Sequence, residues 1–221
     1  MSKDFRVIRY DAPGSGLSAP DTTGDYTDAR SLQLLGDLMT KFCVERATLV
    51  GNSMGGRIAW SFAAAQPQRV NKLVLISPDG FASPDFEYGK APEVLQLMRV
   101  VLPHAVLRMN LKPAYVDPKT LTDPLLDRYH DLLRAPGARE AMLQRMRQMV
   151  LTDPVPQLQT IQAPTLLPWG EQDAMIPLSN SQAYRQAIAG SRLVTLRGVG
   201  PLPQEESPDR ALEPVRAFLA S

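Results

Sequence analysis

Apolar residues along the chain recur with two spacings, and the two spacings alternate. Short apolar or alternating runs predict strands, whereas apolar residues three and four positions apart predict helices. The predicted strands cover residues 5–10, 47–50, 72–76, 163–170 and 192–196, and the predicted helices cover residues 29–42, 56–65, 179–189 and 209–219. Because strands that alternate with helices form βαβ units, this order predicts an α/β protein with a mostly parallel sheet flanked by helices.

The alternation stops between residues 86 and 154, where the spacing is helical and no convincing strand occurs. Helices are predicted there over residues 94–102, 105–110, 124–133 and 139–151. We therefore predict an α/β core formed by residues 1–80 and 155–221, with residues 81–154 as a helical insertion.

A serine stands where the predicted strand 47–50 meets the helix that follows it. The junction reads Gly51-Asn52-Ser53-Met54-Gly55. A Gly-x-Ser-x-Gly sequence between a strand and a helix is typical of a nucleophile elbow, a sharp turn that exposes the serine hydroxyl. Side chains at Gly51 and Gly55 are expected to clash where the strand and the helix approach each other. The alternative is a glycine-rich connection that carries a serine by chance.

Composition narrows the class of partner. The 221 residues suit one domain with an inserted subdomain, and the net charge is +1 with acids and bases interspersed. Nothing in this balance favours nucleic acid or an anionic membrane as a partner. The single cysteine, Cys43, excludes an internal disulfide. We find neither an apolar run near the roughly 18 residues of a spanning helix nor a signal core, so a cytoplasmic protein is expected.

Four stretches together resemble the α/β-hydrolase family, and the resemblance covers nearly the whole chain. They are Asp11-Ala12-Pro13-Gly14-Ser15-Gly16-Leu17-Ser18, Gly51 to Gly56, Trp169-Gly170-Glu171-Gln172-Asp173 with Pro177, and Gly198 to Pro208. The order nucleophile, acid, base is also that of the family. By resemblance, the helical insertion is the family's cap, which covers the active site and shapes a pocket for a small-molecule substrate or ligand. The resemblance implies no cofactor and no metal ion.

The resemblance also implies roles for individual residues. Ser53 matches the nucleophile, Asp173 matches the acid that orients the base, and the Met54 N–H matches one donor of the oxyanion hole. Asp173 could instead cap a turn. Asp79 is the alternative acid that some relatives use, although a turn at the boundary of the cap is its expected role. Asn52 and Met54 beside the serine resemble those of cap-bearing esterases and of carbon–carbon hydrolases of ring-cleavage products.

The base of the catalytic triad is missing from the sequence. The family reads Gly-His-x-Pro-x-x-Glu where this chain has Gly200 to Glu206, so Pro201 stands at the position of the histidine. Proline cannot accept a proton. The two histidines of the chain, His104 and His130, lie in the helical block, where surface or packing roles are expected.

Three further departures from the family's pattern also indicate a chain with impaired catalysis. Family members carry two or three strands and a His-Gly type loop before the strand at residues 5–10, so the loop that donates the second oxyanion N–H is expected to be absent. Residues 5–10 would then pair directly with residues 47–50, or strand edges would be exposed. Pro168 would remove a hydrogen bond from a central strand. Cys43 takes a helix-end position where the family often has glycine, which suits a left-handed cap.

These features predict a serine hydrolase of small ester-like substrates, acting on acyl or carbon–carbon bonds, that is catalytically impaired. The alternative is a non-catalytic protein that keeps the same fold and binds a small ligand or interacts with a partner.

Overall fold

The computed structural model describes residues 4–82 and 101–221. Within these ranges the helices are α1 (Asp28–Lys41), α2 (Met54–Ala65), α3 (His104–Leu111), α4 (Asp123–Arg134), α5 (Ala138–Gln148), α6 (Val155–Leu158), α7 (Leu178–Ala187), α8 (Pro203–Glu206) and α9 (Pro208–Ala220). The strands are β1 (Ala47–Ser53), β2 (Val70–Pro78), β3 (Thr165–Gly170) and β4 (Arg192–Leu196). Short 3-10 turns cover Pro67–Arg69, Lys112–Ala114 and Pro118–Thr120.

The strands form one parallel sheet in the order β1-β2-β3-β4. This confirms the predicted α/β architecture. Parallel strands end at the same edge of a sheet, so the residues that follow β1, β2 and β3 gather at its carboxyl edge. The paired register between β2 and β3 ends at Leu166, two residues before Pro168. This agrees with the missing N–H of a proline inside a strand.

The strand predicted over residues 5–10 is wrong. Residues 6–10 have no regular secondary structure, and the apolar side chains of this segment are between 39% and 48% exposed. A strand needs a neighbour for its backbone N–H and C=O groups, and no described residue pairs with this segment as a strand. As far as the described residues extend, β1 is therefore an edge strand of the sheet.

The other predicted elements are present wherever the structure describes them, with ends that differ by three residues or fewer. The helix predicted over residues 94–102 lies outside the described residues, except for its last two positions. Residues 101–154 contain helices and no strand, as predicted for that part of the helical block.

The chain divides into two compact units. The first comprises residues 1–31, 84–111 and 121–150, and the second comprises residues 32–83, 112–120 and 151–221. The second unit contains the sheet and the main core, in which Phe62, Trp169 and Tyr184 are fully buried. The first unit has a smaller apolar cluster around Leu107 and Leu126. The division into an α/β core and a cap at residues 81–154 stays a prediction.

Membrane and metal features can be assessed for the described ranges only. No helix there has the length and apolar character that a membrane-spanning segment requires. No group of three or more His, Cys, Asp or Glu side chains in the same ranges is placed to hold a metal ion.

Candidate active site

Ser53 is the last residue of β1, and α2 begins at the next residue. Its backbone has φ 51° and ψ −121°, a conformation that non-glycine residues seldom adopt. Such strain persists only where the surrounding structure imposes it, and it is concentrated at functional sites. The strand, sharp turn and helix predicted around Ser53 are thus present, and the catalytic role of the serine remains a prediction.

The glycines around Ser53 differ in how much space they have. A Cβ on Gly51 would lie 2.2 Å from the carbonyl oxygen of Gly55, so any side chain there would clash, as predicted. The corresponding expectation for Gly55 is wrong, because a Cβ there would meet no described atom within 4 Å beyond its chain neighbours and the backbone of its own helix. The close approach falls instead on Gly56, whose Cβ would lie 2.8 Å from Cβ of Pro78 at the end of β2.

Met54 is the first residue of α2. The first N–H groups of a helix have no acceptor within the helix, and they carry its positive dipole end. The Met54 N–H is therefore one of the groups that can stabilise an oxyanion developing beside Ser53. Its role in the oxyanion hole stays a prediction.

Asp173 lies in the turn that follows β3, and its two carboxylate oxygens have different surroundings. Oδ1 accepts hydrogen bonds from the N–H groups of Met175 and Ile176, at 2.9 and 2.8 Å. Oδ2 is buried and has no hydrogen-bond partner among the described residues. Burial raises the pKa of the Asp173 carboxyl, and the hydrogen bonds to Oδ1 oppose the shift. One oxygen therefore caps the turn, and the other keeps an unused acceptor.

Ser77 is a second buried polar residue at the same edge, and sequence reasoning missed it. Its side chain is 1% exposed, and within the described part of the chain Oγ has no hydrogen-bond partner. The hydroxyl lies close enough to the Asp173 carboxyl to lower its pKa, yet it does not reach hydrogen-bond geometry. Ser77 has φ 38°. The signal that could have found it is a small polar residue near the end of an otherwise apolar strand.

The loop of residues 198–202 contains Pro201. It is hydrogen-bonded to the turn that contains Asp173. The N–H of Gln172, which immediately precedes Asp173, donates to the carbonyl of Val199 at 3.0 Å. This hydrogen bond holds the loop beside the candidate acid.

The same loop is bonded on its other side to the residue before Ser53. The amide nitrogen Nδ2 of Asn52 donates to the carbonyl of Pro201 at 3.1 Å and to that of Ile76 at 3.0 Å. The Gln204 side chain in turn donates to Oδ1 of Asn52 at 3.3 Å. Pro201 thus belongs to a loop that is hydrogen-bonded to Gln172 and to Asn52, the residues immediately before Asp173 and Ser53.

Asp79, the alternative candidate for the acid, is paired with residues other than the candidate catalytic ones. Its carboxylate accepts a hydrogen bond from Nε of Arg57 at 2.7 Å, and the Arg57 side chain is buried. The Asp79 carbonyl accepts from Trp60 Nε1 and from the Tyr184 hydroxyl, at 3.3 and 2.7 Å. The carboxylate is therefore engaged in an ion pair, whereas Asp173 keeps an unused oxygen. Arg57 also escaped the sequence reasoning, although a single charge in the apolar run of α2 could have signalled a buried pair.

The two histidines lie in the first unit, and each has a partner there. Nε2 of His130 is 3.0 Å from the Leu102 carbonyl oxygen, and Nδ1 of His104 is 3.4 Å from the carboxylate of Asp127. Their rings are in contact, with centroids 4.0 Å apart and planes tilted by 51°. These contacts agree with the packing and surface roles expected for them.

The fold and the strand-to-helix serine turn are those of one class of protein, the alpha/beta hydrolases. A sequence model of the alpha/beta hydrolase family matches residues 1–213, and the chain belongs to this family. It is 30% identical over 213 residues to 2-hydroxy-6-oxo-6-phenylhexa-2,4-dienoate hydrolase of Comamonas testosteroni. The match covers 93% of this chain and 73% of that relative.

Solved structures confirm the fold. A hydrolase from Pseudomonas aeruginosa PA01 matches with a TM-score of 0.84 and 29% sequence identity, over 98% of this chain and 80% of that chain. A variant of the meta-cleavage product hydrolase CumD matches with a TM-score of 0.83 and 25% identity, over 100% of this chain and 82% of that chain. The α/β-hydrolase fold predicted from the motifs is therefore correct.

Proposed function

We propose that this chain is a serine hydrolase of small ester-like substrates, with acyl or carbon–carbon bonds, whose turnover is impaired. Ser53 is the nucleophile, Asp173 is the acid, and the Met54 N–H is one oxyanion donor. The observation that carries the proposal is the loop of Pro201, which is hydrogen-bonded to both flanks of the site and presents a residue that cannot take a proton. The similar proteins in Comamonas testosteroni and Pseudomonas aeruginosa are hydrolases, which supports this class of reaction.

The chemistry of a serine nucleophile explains why the loss of the base at Pro201 lowers turnover so strongly. A serine hydroxyl is a poor nucleophile until a base removes its proton. In the family's triad that base is an imidazole, and the carboxylate fixes its tautomer and stabilises its positive charge. In that arrangement the carboxylate acts through the imidazole, so Asp173 without an imidazole has nothing to orient. Loss of the base costs up to about 10⁶ in turnover in a serine hydrolase.

The test is hydrolysis of 4-nitrophenyl butyrate by the wild-type chain, by Ser53→Ala and by Ser61→Ala, a matched serine variant within α2. We expect wild-type turnover close to the buffer rate and almost equal to that of Ser53→Ala. Pro201→His should add Ser53-dependent turnover, because a positioned general base contributes about 10²–10⁴. A gain far below that range would mean that another element, such as a second oxyanion donor, is also lacking. Wild-type turnover well above buffer that Ser53→Ala abolishes would refute the impairment.

A second candidate is a non-catalytic protein that binds a small ligand at this site. It is favoured by Pro201, which cannot accept a proton, in a chain that otherwise keeps the family's fold. This candidate predicts ligand-dependent thermal stabilisation that survives Ser53→Ala. A broad small-molecule screen without any stabilising ligand would count against it.

A further inference from the structure

The carboxylate of Glu206 joins two segments that are far apart in the sequence. Its Oε1 accepts a hydrogen bond from the N–H of Gly200, and its Oε2 accepts one from the N–H of Val116, both at 2.9 Å. Gly200 immediately precedes Pro201 in the loop of residues 198–202. Each oxygen therefore has its own backbone donor, and hydrogen bonds to an ionised acceptor are roughly twice as strong as those between neutral groups.

The segment that contains Val116 is itself fixed at a second point. The hydroxyl of the neighbouring residue Tyr115 donates to Oε2 of Glu205 at 2.6 Å, and the Tyr115 side chain is buried. Residues 112–120 belong to the same compact unit as the sheet, whereas the residues on both sides of them in the chain belong to the other unit. This segment therefore gives the Glu206 carboxylate a fixed donor.

Gly200 provides the space that the Glu206 carboxylate needs. The φ of Gly200 is not positive, so its backbone conformation is open to other residues. A Cβ at this position would lie 2.8 Å from Oε1 of Glu206 and 3.1 Å from Cγ2 of Val116. The end of a flexible side chain can move away from such a contact, but the hydrogen bond to the Gly200 N–H would then be lost. The absence of a side chain at Gly200 thus permits the contact.

The peptide unit between Val199 and Gly200 is hydrogen-bonded at both ends. Its carbonyl accepts from the N–H of Gln172 at 3.0 Å, and its N–H donates to Glu206 at 2.9 Å. The C=O and N–H of a planar trans peptide point in opposite directions, so the two bonds together fix the rotation of this plane. Since Gly200 is buried, its N–H also needs a protein acceptor. Loss of the Glu206 bond would therefore loosen the bond to Gln172 as well.

We propose that Glu206 is a positioning residue. Through the peptide between Val199 and Gly200, it sets the position of residue 201 relative to the turn that contains Asp173. The inference rests on the function proposed above. The chain thus retains the support for a base that Pro201 cannot provide, and a base introduced at this position depends on Glu206.

The positioning is tested first without turnover, by amide hydrogen exchange in the full chain. Glu206→Gln leaves one acceptor oxygen where the carboxylate has two, so both N–H groups can no longer be paired as they are. We expect exchange at the Gln172 N–H to become about tenfold faster or more, because its acceptor lies in the loosened peptide. Gly200→Ala should have the same effect, since its Cβ displaces the carboxylate.

Two controls separate positioning from a general loss of stability. Glu205→Gln makes the same change at the adjacent residue, which holds Tyr115, and exchange at Gln172 should stay as in the wild-type chain. The N–H of Leu73, which donates to the Pro164 carbonyl at 2.9 Å in the core, reports opening of the whole unit and should not change. Unchanged exchange at Gln172 in Glu206→Gln and Gly200→Ala overturns the proposal. So does an equal increase in Glu205→Gln or at Leu73.

The consequence for a base is tested with 4-nitrophenyl butyrate in the Pro201→His background. Adding Glu206→Gln should lower the Ser53-dependent kcat by about 10–100-fold with KM changed by less than about twofold, because a misplacement of about 1 Å costs about 10²-fold in rate. Adding Glu205→Gln should change neither constant. A kcat that Glu206→Gln leaves unchanged overturns the proposal. Strong Ser53-dependent turnover by the wild-type chain would refute the impairment alone, and exchange at Gln172 would still decide the role of Glu206.

Discussion

Two residues with positive φ lie on the neighbouring strands β1 and β2. Ser53 has φ 51° and Ser77 has φ 38°, and each is at the carboxyl end of its strand. Positive φ costs about 1–3 kcal/mol for a residue with a side chain, so the packing around both residues must impose it. The glycines nearby allow the strand and the helix to approach closely enough to do so.

Gly51 and Gly55 form a matched pair for testing this approach. Gly51→Ala should lower the free energy of unfolding by about 3 kcal/mol or more, because its Cβ would lie 2.2 Å from a backbone oxygen that cannot move away freely. Gly55→Ala should leave stability unchanged or raise it by up to about 1 kcal/mol, since alanine favours a helix and the space is open. Urea unfolding of both variants measures the difference. Equal losses would contradict the close approach at Gly51.

At the scale of elements, the C-terminus of α1 has the left-handed cap expected at Cys43. The N–H of Cys43 donates to the carbonyl of Thr40 at 3.0 Å, and the N–H of Val44 donates to that of Met39 at 2.8 Å. This pair of bonds is a Schellman motif, which needs a left-handed residue at the position of Cys43. Its φ is 53°, as the comparison with the family's glycine predicted.

Replacing Cys43 should therefore stabilise the chain. Cys43→Gly removes a left-handed penalty of about 1–2 kcal/mol and adds some unfolded-state entropy, so a net gain of about 0.5–1 kcal/mol is expected. For a chain of this size this corresponds to a rise of roughly 1–4 °C in Tm, measured by calorimetry. Cys43→Ala keeps the penalty and serves as the control. A glycine variant no more stable than the alanine variant would contradict this account.

The segment at residues 5–10 shows where element prediction failed. Its side chains alternate as those of a strand do, but alternation states only that a segment can form a strand. A strand exists when another strand accepts and donates its backbone hydrogen bonds. No described strand does so for this segment, and its apolar side chains are about half exposed.

At the scale of the whole molecule, the sheet ends at β1 as far as the structure describes it, and Val50 in that strand is 52% exposed. An apolar edge strand invites pairing between chains, and a charged lysine on the edge opposes it. Val50→Lys should therefore reduce association, measured by light scattering over a range of protein concentrations, with little change in Tm. Val101→Lys is the control, because Val101 is equally exposed and lies outside the sheet. An equal effect of both variants would refute a role for the edge.

By itself, the sequence determined the order of helices and strands, the parallel sheet, the turn at Ser53 and the left-handed cap at Cys43. These features depend on the spacing of apolar residues and on turns of a few residues, which are local properties of the chain. It also placed Pro201 in the position of the family's histidine, because the motif around it is contiguous.

Only the tertiary structure decided which residues meet. In the structure, no described strand pairs with residues 5–10. The close approach between strand and helix falls on Gly56, which lies against Pro78, and not on Gly55. Ser77 lies near Asp173, which is distant from it in sequence. It also decided that one oxygen of Asp173 caps a turn while the other is buried and unpaired. These outcomes depend on strand register and on packing between distant segments, and neither is contained in the spacing of residues along the chain.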